Sequence, residues 1–270
     1  MPNTPVTVQK VMYWLLALAI IYVLASLLAL AFSNKLLAVV TAIPARVFLF
    51  FILLVSVALA LRTIRWCYLI RQTGLSVRWR DAAQIYVGGF PMALTPGRIG
   101  ELWRAWVLAS KWKTGYRRAL PLVFCDRLLD LNVLLLFAAI GVFGPAVYHW
   151  PAITAVAFFL PLMLLLFKPR WCARLVKIGY AIFGKRLRRH FAALLTVCRH
   201  IALVIRPSLY LPAFALSLLA WSMEALAIAT AAAGLGGALS LHNAMTTIGL
   251  GNIAGVLTFL PAASAGRKRR

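Results

Sequence analysis

Residues 11–32 form an apolar run with no charged side chain in it, and similar runs recur along the chain. A helix rises about 1.5 Å per residue, so about 22 residues reach roughly 33 Å, enough to cross the hydrocarbon core of a bilayer. Further runs cover residues 44–70, 119–148, 152–167 and 209–232, with a short turn expected at His149, Trp150 and Pro151. A sixth, residues 242–261, is weaker because Gly249, Gly251, Asn252 and Gly255 interrupt it. The chain is 63% hydrophobic and only 13% charged, whereas soluble domains run nearer half apolar and a quarter charged. The expectation is an all-α fold: one membrane domain over residues 1–270, a polytopic transmembrane helix bundle of about six spans. Residues 29–31 resemble a small-residue cleavage site, but the first run is longer than an ordinary signal-peptide core and only Lys10 precedes it, so it reads as a retained helix.

The charge is one-sided. The chain carries 29 Lys and Arg against 5 Asp and Glu, a net +24. With the N-terminus inside, only Lys35 and Arg46 fall outside, leaving 27 basic residues on the cytoplasmic side. That is a strong positive-inside bias, so both termini are expected in the cytoplasm; the expected location is a bacterial inner membrane. The basic excess reads as topology and attraction to anionic headgroups rather than as a nucleic-acid surface. Arg62 and Arg65, in the last turns of the second run, have stems long enough to snorkel to the headgroups. In the basic segment 168–206, Leu187, Phe191, Leu194, Leu195, Cys198 and Ile201 share a helical face, which fits a helix lying in the interface; a solvated basic loop is the other reading. Cys67, Cys125, Cys172 and Cys198 fall on or near the reducing side without CxxC spacing, and Cys172, Cys198 and His200 lack zinc-site spacing. No metal or other cofactor is implied.

Residues 82–110 fit neither a span nor a simple loop. Two short apolar halves flank Gly88, Gly89, Phe90, Pro91 and then Thr95, Pro96, Gly97, Arg98, Ile99, Gly100 and Glu101. Broken backbone in lipid must be buried in protein or line a wet cavity. The expectation is a re-entrant helical hairpin turning between Pro91 and Pro96, with the second half-helix starting near Arg98 and its free N–H groups beside that arginine suited to a lipid phosphate. A cytoplasmic amphipathic loop is the alternative.

The few acids narrow the choice of site. Asp126 and Asp130 share a face of the third span with Arg127 beside them, Glu101 lies a turn from Arg98 and Arg104, and Glu224 sits mid-way along the fifth span. A charge at mid-bilayer costs about 2.5–3.5 kcal/mol on insertion scales, so Glu224 should face the bundle interior and be protonated or find a partner. Asp126, Arg127 and Asp130 should meet Arg98, Arg104 or Arg118. Two compatible readings follow: a polar cavity lined by Arg98, Glu101, Arg104, Asp126, Arg127 and Asp130, or an ion-pair network pinning the hairpin to the third span.

The stretch Pro96, Gly97, Arg98, Gly100, Glu101, then Arg104, then Asp126, Arg127 and Asp130, resembles the membrane region of lysylphosphatidylglycerol synthases, a flippase-like family with stand-alone members, some associated with hopanoid or glycolipid pathways. The resemblance implies re-entrant helices around a lipid-accessible cavity and movement of a lipid between leaflets, with the matching residues as the headgroup site. Family members commonly carry a second Pro-Gly-rich turn with a Glu, then more helices. Here residues 258–261 look like the approach to it, residues 255–266 weakly echo 90–100, and the chain then runs into Arg267, Lys268, Arg269 and Arg270. A second re-entrant segment over 242–261, and a C-terminally truncated or diverged member, are the expectations.

Three functions follow. Lipid translocation, or help with it, fits the polar residues gathered on a broken hairpin. An accessory or scaffold role in an envelope-lipid pathway fits the same residues as a structural network. A lipid transferase fits less well: there is no Asp-x-Asp pair and no acid in the outer loops, although Asp126 and Asp130 remain as base or metal ligand. The partners implied are membrane lipids, anionic or glycosylated, and envelope-lipid biosynthesis proteins; no nucleic acid is implied and the oligomeric state is open. There is no P-loop for ATP.

Overall fold

The computed structural model describes residue 24, residues 43–89, 102–112, 115–167 and 206–258, and single positions between 171 and 181. These residues form helices: α1 Ala45–Gln72, α2 Trp79–Gly88, α3 Trp103–Lys111, α4 Tyr116–Ile140, a 3-10 turn Gly141–Phe143, α5 Ala146–Phe167, α6 Pro207–Gly234 and α7 Leu241–Thr258. The chain is an all-α helical bundle. Ala45–Gln72 and Ser208–Gly234 are long and apolar enough to cross a membrane by length and composition, with hydropathies of 2.6 and 1.6 in their most apolar windows. The first run, 11–32, the interfacial helix expected within 168–206 and the hairpin turn expected at 90–101 lie essentially outside the described residues.

α6 lies antiparallel along α1. The Tyr68 hydroxyl donates to the Ser208 carbonyl at one end, 3.3 Å away. At the other end a Cβ on Gly234 would sit 2.7 Å from Val47 Cγ1, so the helices touch where glycine leaves room. α7 lies antiparallel along α4 by the same device. A Cβ on Gly249 would meet the Ala138 backbone nitrogen at 2.6 Å and the Leu134 carbonyl oxygen at 2.7 Å. The glycines do not break α7, which is one uninterrupted helix from Leu241 to Thr258; the turn expected near Pro261 lies outside the described residues.

The boundary between the third and fourth runs differs from the sequence expectation. The break falls at residues 141–145, and His149, Trp150 and Pro151 lie inside α5. The cause is Gly144, whose extended backbone (φ −92°, ψ −162°) precedes Pro145. A residue before proline is pushed out of the helical region, which ends α4 there.

Two apolar clusters result. One joins the second half of α4 to α5, α6 and α7 through Val133, Phe137, Phe159, Ala225 and Ile248. The other joins α1, α2, α3 and the first half of α4 through Trp66, Leu69, Ile85, Leu108 and Leu122. Asp126 and Asp130 lie on α4 where the two clusters meet.

Candidate functional site

Three helices each present a polar stripe to the bundle interior. Arg62 and Arg65 are one turn apart on α1, Asp126 and Asp130 one turn apart on α4, and Ser217, Trp221 and Glu224 fall at successive turns of α6. Residues three or four apart share a helix face, so each stripe can be buried whole.

Arg65 is the centre of the resulting knot. Its Nη2 donates to Asp126 Oδ1 at 2.7 Å and its Nη1 to Asp130 Oδ1 at 2.5 Å. The same Nη1 donates to Ser217 Oγ, whose hydroxyl donates in turn to the Ala213 carbonyl at 3.1 Å. The second oxygen of Asp126 accepts from Arg104 Nη1 at 3.3 Å and from Arg127 Nη2 at 2.8 Å. Arg127 Nη2 also lies 3.2 Å from Asp130 Oδ2. The Trp221 indole N–H donates to Asp130 Oδ1 at 3.0 Å. Trp221 also carries the Arg62 guanidinium 4.3 Å over its ring, and Arg62 donates to Glu224. Removing a charge from water is costly, and only this density of partners offsets it.

α3 is joined to the knot through Arg104. Its guanidinium lies 4.1 Å over the Tyr86 ring of α2 and 5.7 Å over Trp66 of α1, each a cation–π contact. Gly89 makes this possible: a Cβ there would stand 3.0 Å from Arg104 Nε. The two legs flanking residues 90–101 are thus held to α1 and α4 by one buried arginine, with an exposed Lys111–Asp81 pair at 3.5 Å across them.

Of the residues expected at the site, Arg104, Asp126, Arg127 and Asp130 come together. Arg118 is exposed at the start of α4. Pro96, Gly97, Arg98, Gly100 and Glu101 lie outside the described residues. Glu224 has found its partner in Arg62. Arg62 and Arg65 do not snorkel: they are 7% and 0% exposed. The carboxylates of α4 and α6 hold them inside, a pairing that neither helix reveals by itself. Ser217 and Trp221 were also missed; their one signal is the spacing of Ser217, Trp221 and Glu224 along an apolar helix.

Asp126 and Asp130 are buried among cations rather than lining an open space, so among the described residues the geometry is that of the ion-pair network. Its rim is open at two side chains, Arg127 at 30% and Glu224 at 26% exposure. Among the described residues, four guanidinium groups pair with three carboxylates. The buried Nε of Arg104 and of Arg65 find no hydrogen-bond acceptor among the described residues. Counted over the described residues, the knot holds one more guanidinium than carboxylate inside an apolar bundle.

A helical membrane bundle with a charged interior is the class of protein that fold and site define. The sequence profile described as Lysylphosphatidylglycerol synthase TM region matches residues 14–267, and the chain belongs to that family. No curated protein and no solved structure matches it. Membership makes it a membrane protein involved in lipid handling.

Proposed function

We propose that the protein translocates, or helps to translocate, a phospholipid or glycolipid between the leaflets of a bacterial inner membrane, both termini facing the cytoplasm. The observation that carries this reading is the excess of guanidinium groups over carboxylates among the described residues of the knot, which is buried within the bundle and reaches its rim at Arg127. A negatively charged headgroup crossing an apolar slab needs a positive path that is already desolvated. Arg98, Gly97 and Gly100 are placed by the sequence in the segment between the two legs that Arg104 ties down. On this reading the headgroup passes between that segment and the rim of the knot.

One observation favours the accessory reading. Asp126 and Asp130 have satisfied themselves with arginines and leave no open polar channel among the described residues. Leaflet exchange of a fluorescent phosphatidylglycerol in proteoliposomes separates the two, comparing wild type with Arg98→Ala and Arg127→Gln. Exchange by wild type and at least a tenfold loss in both variants supports translocation through this site. Equal exchange in all three removes the site from the path. No exchange by well-folded wild type supports the accessory role, and conversion of the lipid to a new species supports a transferase.

A further inference from the structure

We propose that the groove between α1 and α2, separate from the buried knot, is a binding site for one anionic phospholipid. The groove has a volume of about 660 Å³ and is lined by Ile64, Cys67, Tyr68, Arg71, Trp79 and Ala83, among others. Its α1 wall runs from Thr63 to Gln72, about 13 Å of helix at 1.5 Å per residue. The wall is graded. Ile64 and Cys67 lie deep along the span, while Arg71 and Gln72 stand at its end. That order suits a lipid, with acyl chain against the apolar floor and phosphate at the arginine.

The second wall points to the interface. Trp79 is 66% exposed on the first turn of α2, with the Arg80 guanidinium 5.6 Å over its ring. Tryptophan settles at the headgroup level because its ring is apolar and its N–H is polar. Across Trp79 a second depression of about 520 Å³ is lined by Arg78, Arg80, Asp81 and Gln84. Asp81 there is already engaged by Lys111. Arg71, Arg78 and Arg80 are all exposed, and among the described residues none of them is in an ion pair. Three such cations around one apolar groove complement an anionic headgroup, the kind that gives the cytoplasmic leaflet its negative surface. A zwitterionic lipid would bring its own cation against them. The site belongs to the groove and holds whether or not lipid crosses through the knot.

Cys67, half-buried on the groove wall, supplies the test. The full chain in detergent is mixed with phosphatidylglycerol or with phosphatidylcholine. The rate of N-ethylmaleimide addition at Cys67 is then read by peptide mass spectrometry, with buried Cys125 as the control for unfolding. Phosphatidylglycerol is expected to slow Cys67 about tenfold relative to phosphatidylcholine while Cys125 stays unreactive. An arginine near a membrane surface is worth about 1 kcal/mol, about fivefold in affinity, so Arg71→Gln should raise the phosphatidylglycerol needed for half-protection about fivefold. Equal protection by both lipids, or protection unchanged in Arg71→Gln, overturns the proposal. So does a Cys67 that is unreactive in every lipid, which would mean that protein fills the groove. None of these outcomes bears on leaflet exchange, which is measured separately.

Discussion

Arg65 of α1 and Asp126 of α4 meet at 2.7 Å with both side chains fully buried. Sixty-one residues separate them in the chain, and this pair ties the helix preceding residues 79–111 to the helix following them. The tie is completed by Arg104 of α3, on the other oxygen of the same carboxylate.

Asp126 is therefore the residue whose loss should cost most. Asp126→Ala leaves Arg65, Arg104 and Arg127 with one carboxylate fewer at a position buried from solvent. Removing one partner of a buried pair typically costs about 3–5 kcal/mol. Equilibrium unfolding in lipid–detergent micelles should show a loss of that size. A loss below about 1 kcal/mol would mean that the carboxylate is not holding the arginines in the membrane.

Trp221 should behave as two interactions on one ring. Trp221→Phe keeps a face for Arg62 but removes the N–H that Asp130 accepts at 3.0 Å. A hydrogen bond to a charged group is worth about 1.5–3 kcal/mol, and that is the expected cost. Trp221→Leu should lose roughly 1 kcal/mol more, the cation–π contribution. Identical unfolding midpoints for the two variants would show that the stacking contributes nothing.

Two glycines of α7 offer a contrast within one helix. A Cβ on Gly249 would press on the α4 backbone at 2.6 Å, where no rotamer change can relieve it, whereas a Cβ on Gly251 would meet nothing within 4 Å. Gly249→Ala should destabilise by about 1–3 kcal/mol through overpacking. Gly251→Ala should stabilise by up to about 1 kcal/mol, the helix-propensity difference. Paired unfolding curves check both signs, and a stable Gly249→Ala would mean that α7 and α4 are not packed backbone to backbone.

Much of this was legible in the residues. The apolar runs marked α1, α6 and α7 to within a few positions, because hydropathy is local and a membrane helix satisfies its own backbone. The acids announced a charged interior, since so few in so apolar a chain cannot be incidental. The partners were less legible. Arg65 looked like a headgroup anchor because its position in the run fits one, and only packing against α4 and α6 reveals carboxylates nearer than the interface. The α4–α5 break falls at Gly144 before Pro145, earlier than the turn expected at His149, Trp150 and Pro151. Pro151 lies in the second turn of α5, inside the helix, whereas the boundary falls where a poor helix former, Gly144, also precedes a proline.

The remaining prediction concerns which end of the bundle faces which side. The links between Tyr68 and Ser208 at one end, and the close approaches of Gly234 to Val47 and of Gly144 to His242 at the other, sort the described connections into two groups. The first end carries Arg71, Arg78, Arg80, Lys111, Arg118 and Arg206, and the second carries Arg46. Lys and Arg in short loops are retained on the cytoplasmic side. A membrane-impermeant maleimide applied to intact cells should therefore label Trp150→Cys and Ala238→Cys, both exposed at the second end, and leave Ser76→Cys unlabelled until the membrane is opened. The native cysteines fall on or near the basic side by sequence and should stay silent in the same cells. Labelling of Ser76→Cys from outside, with Trp150→Cys protected, would invert the topology. It would also place the α1–α2 groove and its arginines in the outer leaflet, where the anionic surface that they complement is absent.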